Sequence, residues 1–366
     1  MNPTERDIKV AKLMEDLISE AKKGNYEDSP DFVSDLEKLF STTAWGFREI
    51  TLVIGIASLL FDDYKASTGF YSCNPRPLYE QSIRNILIKY KIPHRKSGPL
   101  NVAKATQGIN SEWAAQRRPK EIAESVVNLV NLIERYSKDE IRNLMIALVK
   151  RLLDEATRVE NIKVETDPKE DPIFLFKVCK RLIDEATDGG NTPQRIIGYL
   201  LEAYHDSLNT GIIVSGHEDR ASTTNTTSKK PGDIQEESLN EGIISIFEVT
   251  VKPFNEQRIN DSFESVIEYD KSHGTNTQSV LVICRRQDCP QDMETLNLNY
   301  YLGKIEKGHV SYYFIDIYEW IMAKLISIPA KARMKFHSSL NEYISHPNTS
   351  EKVKLLWKKL HEDEIC

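Results

Sequence analysis

The chain lacks a long apolar run: none of its 366 residues falls in a stretch approaching the roughly 20 apolar residues that cross a bilayer. Residues 50–61 are the most apolar, but they are too short and follow no basic leader, so they predict a buried helix. The N-terminus is polar and mixed in charge, which predicts neither a secretory signal nor a membrane partner. Cysteine is scarce, with five residues scattered at Cys73, Cys179, Cys284, Cys289 and Cys366. An odd, scattered set argues against a disulfide framework and predicts a reducing, cytoplasmic setting. Neither Cys284 and Cys289 nor His205, His217, His273 and His309 show the spacing of a metal site. No Gly-x-x-x-x-Gly-Lys-Ser/Thr segment occurs, which excludes a P-loop ATPase. A basic excess is also missing. Net charge is −7, so contact with nucleic acid would have to rest on local clusters.

What the chain does have is a carboxylate pair in a hairpin pattern. Residues 243–251 are rich in β-branched side chains and predict a buried strand, with a shorter strand at 233–238 before it. Leu239-Asn240-Glu241-Gly242 carries turn chemistry between them. A turn centred between Asn240 and Glu241 sets Asp233 opposite Glu248. Opposed side chains of an antiparallel pair have Cβ atoms about 5 Å apart. Two carboxylates that close repel unless a cation lies between them, and hard oxygen ligands suit Mg²⁺. Glu248 also stands inside an apolar strand, where an unpaired carboxylate is costly to bury. The bland reading of Asp233 is an ordinary turn residue.

Around the hairpin the predicted order is a helix at 194–208, a strand at 211–215, a polar loop at 216–230, the hairpin, a helix at 256–270 and a buried strand at 279–284. This order, with Pro231-Gly232-Asp233 and Glu248-Val249-Thr250, resembles the PD-(D/E)xK nuclease superfamily over about residues 192–290. The resemblance implies an α/β (α+β) fold, with a mixed-sheet nuclease core following a mainly helical N-terminal domain. It makes Asp233 and Glu248 the ligands of Mg²⁺ and adds Glu202, in the first helix, as a third acid. The match departs from the family at Thr250, where a lysine is expected. Lys252 lies two residues on, on the same face by the period of a strand, and becomes the candidate cation; Lys229 and Lys230 of the loop are others.

The N-terminal half predicts helices at 4–24, 31–41, 46–61, 78–90, 100–106 and 120–136. Its positive charge gathers at the breaks between them: Arg76, His94, Arg95, Lys96, Lys104, Arg117, Arg118 and Lys120. Gly98 and Pro99 add backbone N–H groups at a helix start. Two readings of these charges stay open, a DNA-binding surface through Arg76, Arg95, Lys96, Lys104, Arg117 and Arg118, or solvated helix ends. The octapeptide Lys150–Thr157 recurs with one change at Lys180–Thr187 and predicts a pair of similar helices bridging the halves. Val310–Asp316 predicts a strand followed by a helix at about 317–327, and Asp316 reads as a strand-end cap, with a further acid as the alternative.

The expected division is a recognition and dimerisation domain at 1–190 and a nuclease domain at 191–366. The expected function is that of a type II restriction enzyme: a homodimeric, Mg²⁺-dependent endonuclease cutting double-stranded DNA at a specific sequence. A repair or recombination nuclease of the same fold and a DNA-binding regulator without activity are the alternatives.

Overall fold

A computed structural model describes residues 3–42, 44–104, 106–162, 166–219, 221, 230–240, 242–290, 293 and 298–362. The chain forms two compact units, Met1–Asn161 and Ile162–Cys366. The first is helical and the second is built on a six-stranded mixed sheet, giving an α/β protein in two parts. Among the described residues no helix is long and apolar enough to cross a membrane.

The first unit is organised around the helix Gly46–Leu60, buried at every residue from Gly46 to Ser58. An apolar helix without a polar face has to be surrounded. The helices Pro3–Lys23, Val33–Phe40, Lys120–Ile133 and Lys138–Glu160 pack on it. Two charged residues ride on this core helix. Arg48 is 3% exposed and is neutralised by Glu155, with further donations to the carbonyls of Leu39 and Thr42. Glu49 faces the opposite segment, Arg95–Gly98. The region expected as one helix at 78–90 is a π-helical turn, Leu78–Ile83, running into Arg84–Lys89.

The second unit begins earlier than residue 191. The helix Pro172–Glu185 buries Leu175, Val178, Cys179, Leu182 and Ile183 in the same core as the helix Asn191–Leu208 and the sheet. The two copies of the repeated octapeptide therefore fall in different units. Lys150–Thr157 lies in Lys138–Glu160 of the first, and Lys180–Thr187 begins in Pro172–Glu185 of the second.

The sheet runs in the order β1 (Ile213–Ser215), β2 (Ile234–Ser238), β3 (Gly242–Thr250), β4 (Ser279–Cys284), β6 (Val310–Asp316), β5 (Tyr301–Lys307). β1, β2 and β3 are antiparallel, β3, β4 and β6 are parallel, and β5 returns antiparallel at the edge. The parallel step from β3 to β4 is made by the crossover helix Glu256–His273. Alternation along the strands separates two cores. Ile234, Phe247, Val249, Ile283 and Ile315 face one, with the helices Asn191–Leu208, Ile317–Ser327, Ala330–Ser345 and Glu351–Glu362. Ile246, Val280, Val282, Tyr312 and Phe314 face the other, shared with Ile259 and Val266 of the crossover helix. Asp316 caps the helix Ile317–Ser327 by accepting from the N–H groups of Tyr318 and Glu319, 2.9 and 3.1 Å away.

Candidate active site

The site begins with the approach of β2 to β3. At Gly232 a Cβ would lie 2.6 Å from Ile246 Cγ2 and 2.9 Å from the Phe247 carbonyl oxygen. Only glycine lets the chain come this close before Asp233. The Asp233 N–H then donates to Phe247 O at 2.9 Å, and its own Oδ2 accepts from the Val249 N–H at 2.9 Å. Ile234 pairs with Phe247, so one step back Asp233 stands opposite Glu248. The opposition expected from the hairpin is present, but it is reached differently. Ser238 pairs with Gly242, one residue tighter than a turn centred between Asn240 and Glu241 would give. A β-bulge at Glu236/Glu237 restores the register before the acids are reached.

Both acids point toward the crossover helix. Glu248 is 4% exposed and its Oε1 accepts from Ser262 Oγ at 2.9 Å. Burial pushes the Glu248 carboxyl well above the usual carboxylate range, and the neighbouring Asp233 pushes it further, while Ser262 and Arg258 oppose the shift. Burial also raises Asp233, against the Val249 N–H and the charge of Arg258. With Glu248 buried and Asp233 half-buried beside it, the pair favours a shared proton over two bare charges. The Tyr312 hydroxyl is buried on the same face, and desolvation followed by the Glu248 charge pushes it up to about 12.

The nearby cation is Arg258, which the sequence reading missed. It sits in the first turn of the crossover helix, where its guanidinium donates to Thr250 Oγ1 and packs 4.9 Å from the centre of the Phe254 ring. Ser262, one turn on, presents its hydroxyl from the same side. One signal was available. A cation in a first helical turn opposes the helix dipole, which is favourable only where acids face it.

The expected role of Lys252 needs correcting on geometry. β3 ends at Thr250, whose hydroxyl accepts from the Lys252 N–H at 3.1 Å and bonds the Lys252 carbonyl at 2.9 Å. This turn carries Lys252 off the strand face and leaves it exposed. Lys230 is paired with Asp219, and Lys229 lies outside the described residues, as does most of the 216–230 loop.

Glu202 does not join the acid pair. It lies half-buried on Asn191–Leu208, 3.2 Å from His217 Nε2, and that ring packs against Gly198 and edge-on to Tyr199. This helix packs on the face of the sheet opposite Glu248.

The candidate DNA-binding residues all belong to the first unit. Arg76 is exposed and pairs with Glu80 at 3.5 Å. Lys96 and Lys104 are exposed and Arg95 is half-buried. Arg117 is turned inward, donating from Nε to Val102 O at 2.7 Å and from Nη2 to Lys104 O at 2.6 Å. Arg118 is exposed and donates to the carbonyls of Ala115 and Arg117. His94 is buried.

The chain matches no protein-family model and no curated protein. The chemistry of the site therefore rests on its geometry. Among the described residues no group of three or more His, Cys, Asp or Glu side chains converges on a metal position. A pair of carboxylates still fits Mg²⁺, which is commonly held by one or two carboxylates with water and substrate phosphate filling the rest.

Proposed function

We propose that the second unit is a Mg²⁺-dependent phosphodiesterase acting on DNA, and that the chain is a site-specific double-strand endonuclease. The observation that carries this reading is the opposition of half-buried Asp233 and buried Glu248 across β2 and β3, with both carboxyls raised. Two facing acids of which one is buried and the other half-buried are a cost to the fold unless a cation uses them. Asp233 and Glu248 would hold Mg²⁺, releasing their shared proton as they do so. When bound, the ion supplies an acidified water and charge against the scissile phosphate. The Val249 N–H and the Ser262 hydroxyl fix the two carboxylates in place. Arg258 takes the position of the family's lysine from a different element. Its guanidinium cannot serve as a base at working pH, so its contribution is positive charge facing the phosphate. Cutting both strands of a palindromic site calls for two such centres, hence a homodimer.

The test is incubation of supercoiled plasmid with the purified chain and Mg²⁺. Discrete linear fragments are the expected product. Structure-dependent nicking would favour a repair nuclease. Binding without any cleavage, unchanged in Asp233→Asn, would overturn the assignment in favour of a regulator.

A further inference from the structure

Acids make up 55 of the 366 residues, so a window of 31 should contain between four and five. Residues 81–111 contain none, while Glu80 and Glu112 bound the window on either side. It holds six cations: Arg84, Lys89, Lys91, Arg95, Lys96 and Lys104. The fold neutralises two of them with distant acids. Lys89 pairs with Glu15 at 2.6 Å and Lys91 with Glu160 at 2.7 Å. Arg84 is half-buried. Among the described residues Arg95, Lys96 and Lys104 have no ion pair, although the chain as a whole is acidic.

The same segment is fastened from inside at both ends. At the first end the buried Glu49 accepts from the Arg95 N–H, and the Tyr79 hydroxyl lies 2.8 Å from both Glu49 Oε1 and the Arg95 carbonyl. A Cβ at Gly98 would sit 1.4 Å from Glu49 Oε2, so glycine is required for the segment to close over this carboxylate. At the second end Arg117 bridges the carbonyls of Val102 and Lys104, and the Trp113 indole N–H donates to Val102 O at 2.8 Å. An arginine that would be free to bind phosphate is spent instead on the backbone. The residues left exposed between the fastenings include Lys96 and Lys104.

We propose that residues 94–104 form a preorganised phosphate-binding strap for duplex DNA, with Lys96 and Lys104 as its contacts and Arg117 as a positioning residue. This rests on the nuclease reading for the identity of the partner. Holding the segment in advance removes the ordering cost that flexible surface lysines would incur on binding. Arg117→Lys separates positioning from contact. A lysine keeps the point charge that a phosphate needs, but it cannot span two carbonyls as the planar fork does.

The experiment measures binding of the full chain to a fluorescein-labelled mixed-sequence duplex by anisotropy across a salt series, in EDTA to prevent cleavage. Lys96→Ala and Lys104→Ala should each lower the slope of log K against log salt by about one. Arg117→Lys should lose affinity as much as Arg117→Ala. Circular dichroism and thermal unfolding confirm folding, and both lysines are exposed enough to be replaced without unfolding. Unchanged slopes in both lysine variants would overturn the strap while leaving the nuclease reading intact. Near wild-type binding by Arg117→Lys would overturn the positioning role. Absence of salt-dependent duplex binding by the wild type would instead overturn the nuclease reading itself, and the strap's partner with it.

Discussion

Mg²⁺ should stabilise the second unit, and the effect should grow with pH. At a free Mg²⁺ concentration of about 100 times Kd, binding to the folded form alone contributes about 2.7 kcal/mol. The second unit spans 205 residues, 366 less the 161 of the first, and for that size each kcal/mol moves Tm by about 2–4 °C. The expected rise is therefore about 5–11 °C. The sign of the pH dependence follows from the two raised carboxyls. The folded state binds more protons than the unfolded chain, so without Mg²⁺ stability is highest below the ordinary carboxylate range. It falls as pH rises from that range through the raised folded values. Mg²⁺ binds the doubly ionised pair, so its stabilisation should increase over the same window. Differential scanning calorimetry with and without Mg²⁺, at several pH values, reads both effects. Asp233→Asn and Glu248→Gln should abolish the Mg²⁺ shift, and each should flatten the loss of stability with pH, since each removes one of the two raised carboxyls. A Mg²⁺ shift of equal size in either variant, or one that shrinks as pH rises, would refute the assignment of these acids as the ion's ligands.

Arg258→Ala should abolish plasmid cleavage yet retain the Mg²⁺-induced rise in Tm, whereas Lys252→Ala should cleave close to the wild-type rate; the reverse pattern in a cleavage time course would return the cation's role to β3. Ser262→Ala removes a hydrogen bond that holds Glu248 down, so the pH profile of cleavage should move to higher pH, with a stability loss of about 0.5–1.5 kcal/mol by denaturant titration. Gly232→Ala forces a Cβ against Ile246 and the Phe247 carbonyl and should cost about 1–3 kcal/mol, with cleavage falling because Asp233 is displaced; unchanged stability and activity would show that β2 does not depend on this approach.

Much of the second unit was legible because its strands are fixed by apolar patterns with one solution each. β3, β4 and β6 are runs of buried β-branched and aromatic residues, and the crossover helix carries a clear apolar stripe. β5 was missed because an edge strand does not read as one. Tyr301-Leu-Gly-Lys-Ile-Glu-Lys307 is charged and interrupted by glycine, features that protect an exposed edge from pairing with other chains. The unit boundary was misplaced at 190 because sequence shows that Pro172–Glu185 is amphipathic without showing which core receives it. Arg117 reads as a surface cation from its basic neighbours, and only the folded positions of Val102 and Lys104 reveal carbonyls within its reach.

The acids and the cation of the candidate site differ in legibility for a physical reason. Asp233 and Glu248 have short side chains whose positions follow from strand register, and register is strongly specified where a strand face is buried. The bulge at Glu236/Glu237 shows how firmly. It offsets the one-residue difference at the turn, so that Ile234, the apolar residue of β2, still faces Phe247 and stays in its core. A cation has no such constraint. The long side chain of an arginine can reach a site from any element that packs over it, so its place in the sequence is free to move while the charge at the site is kept. Thr250, where the family pattern calls for lysine, then has its own role: its hydroxyl both turns the chain at Lys252 and receives the guanidinium of Arg258. On the proposed reading, the residue that departs from the pattern is the one whose hydroxyl receives the guanidinium that would supply the missing charge.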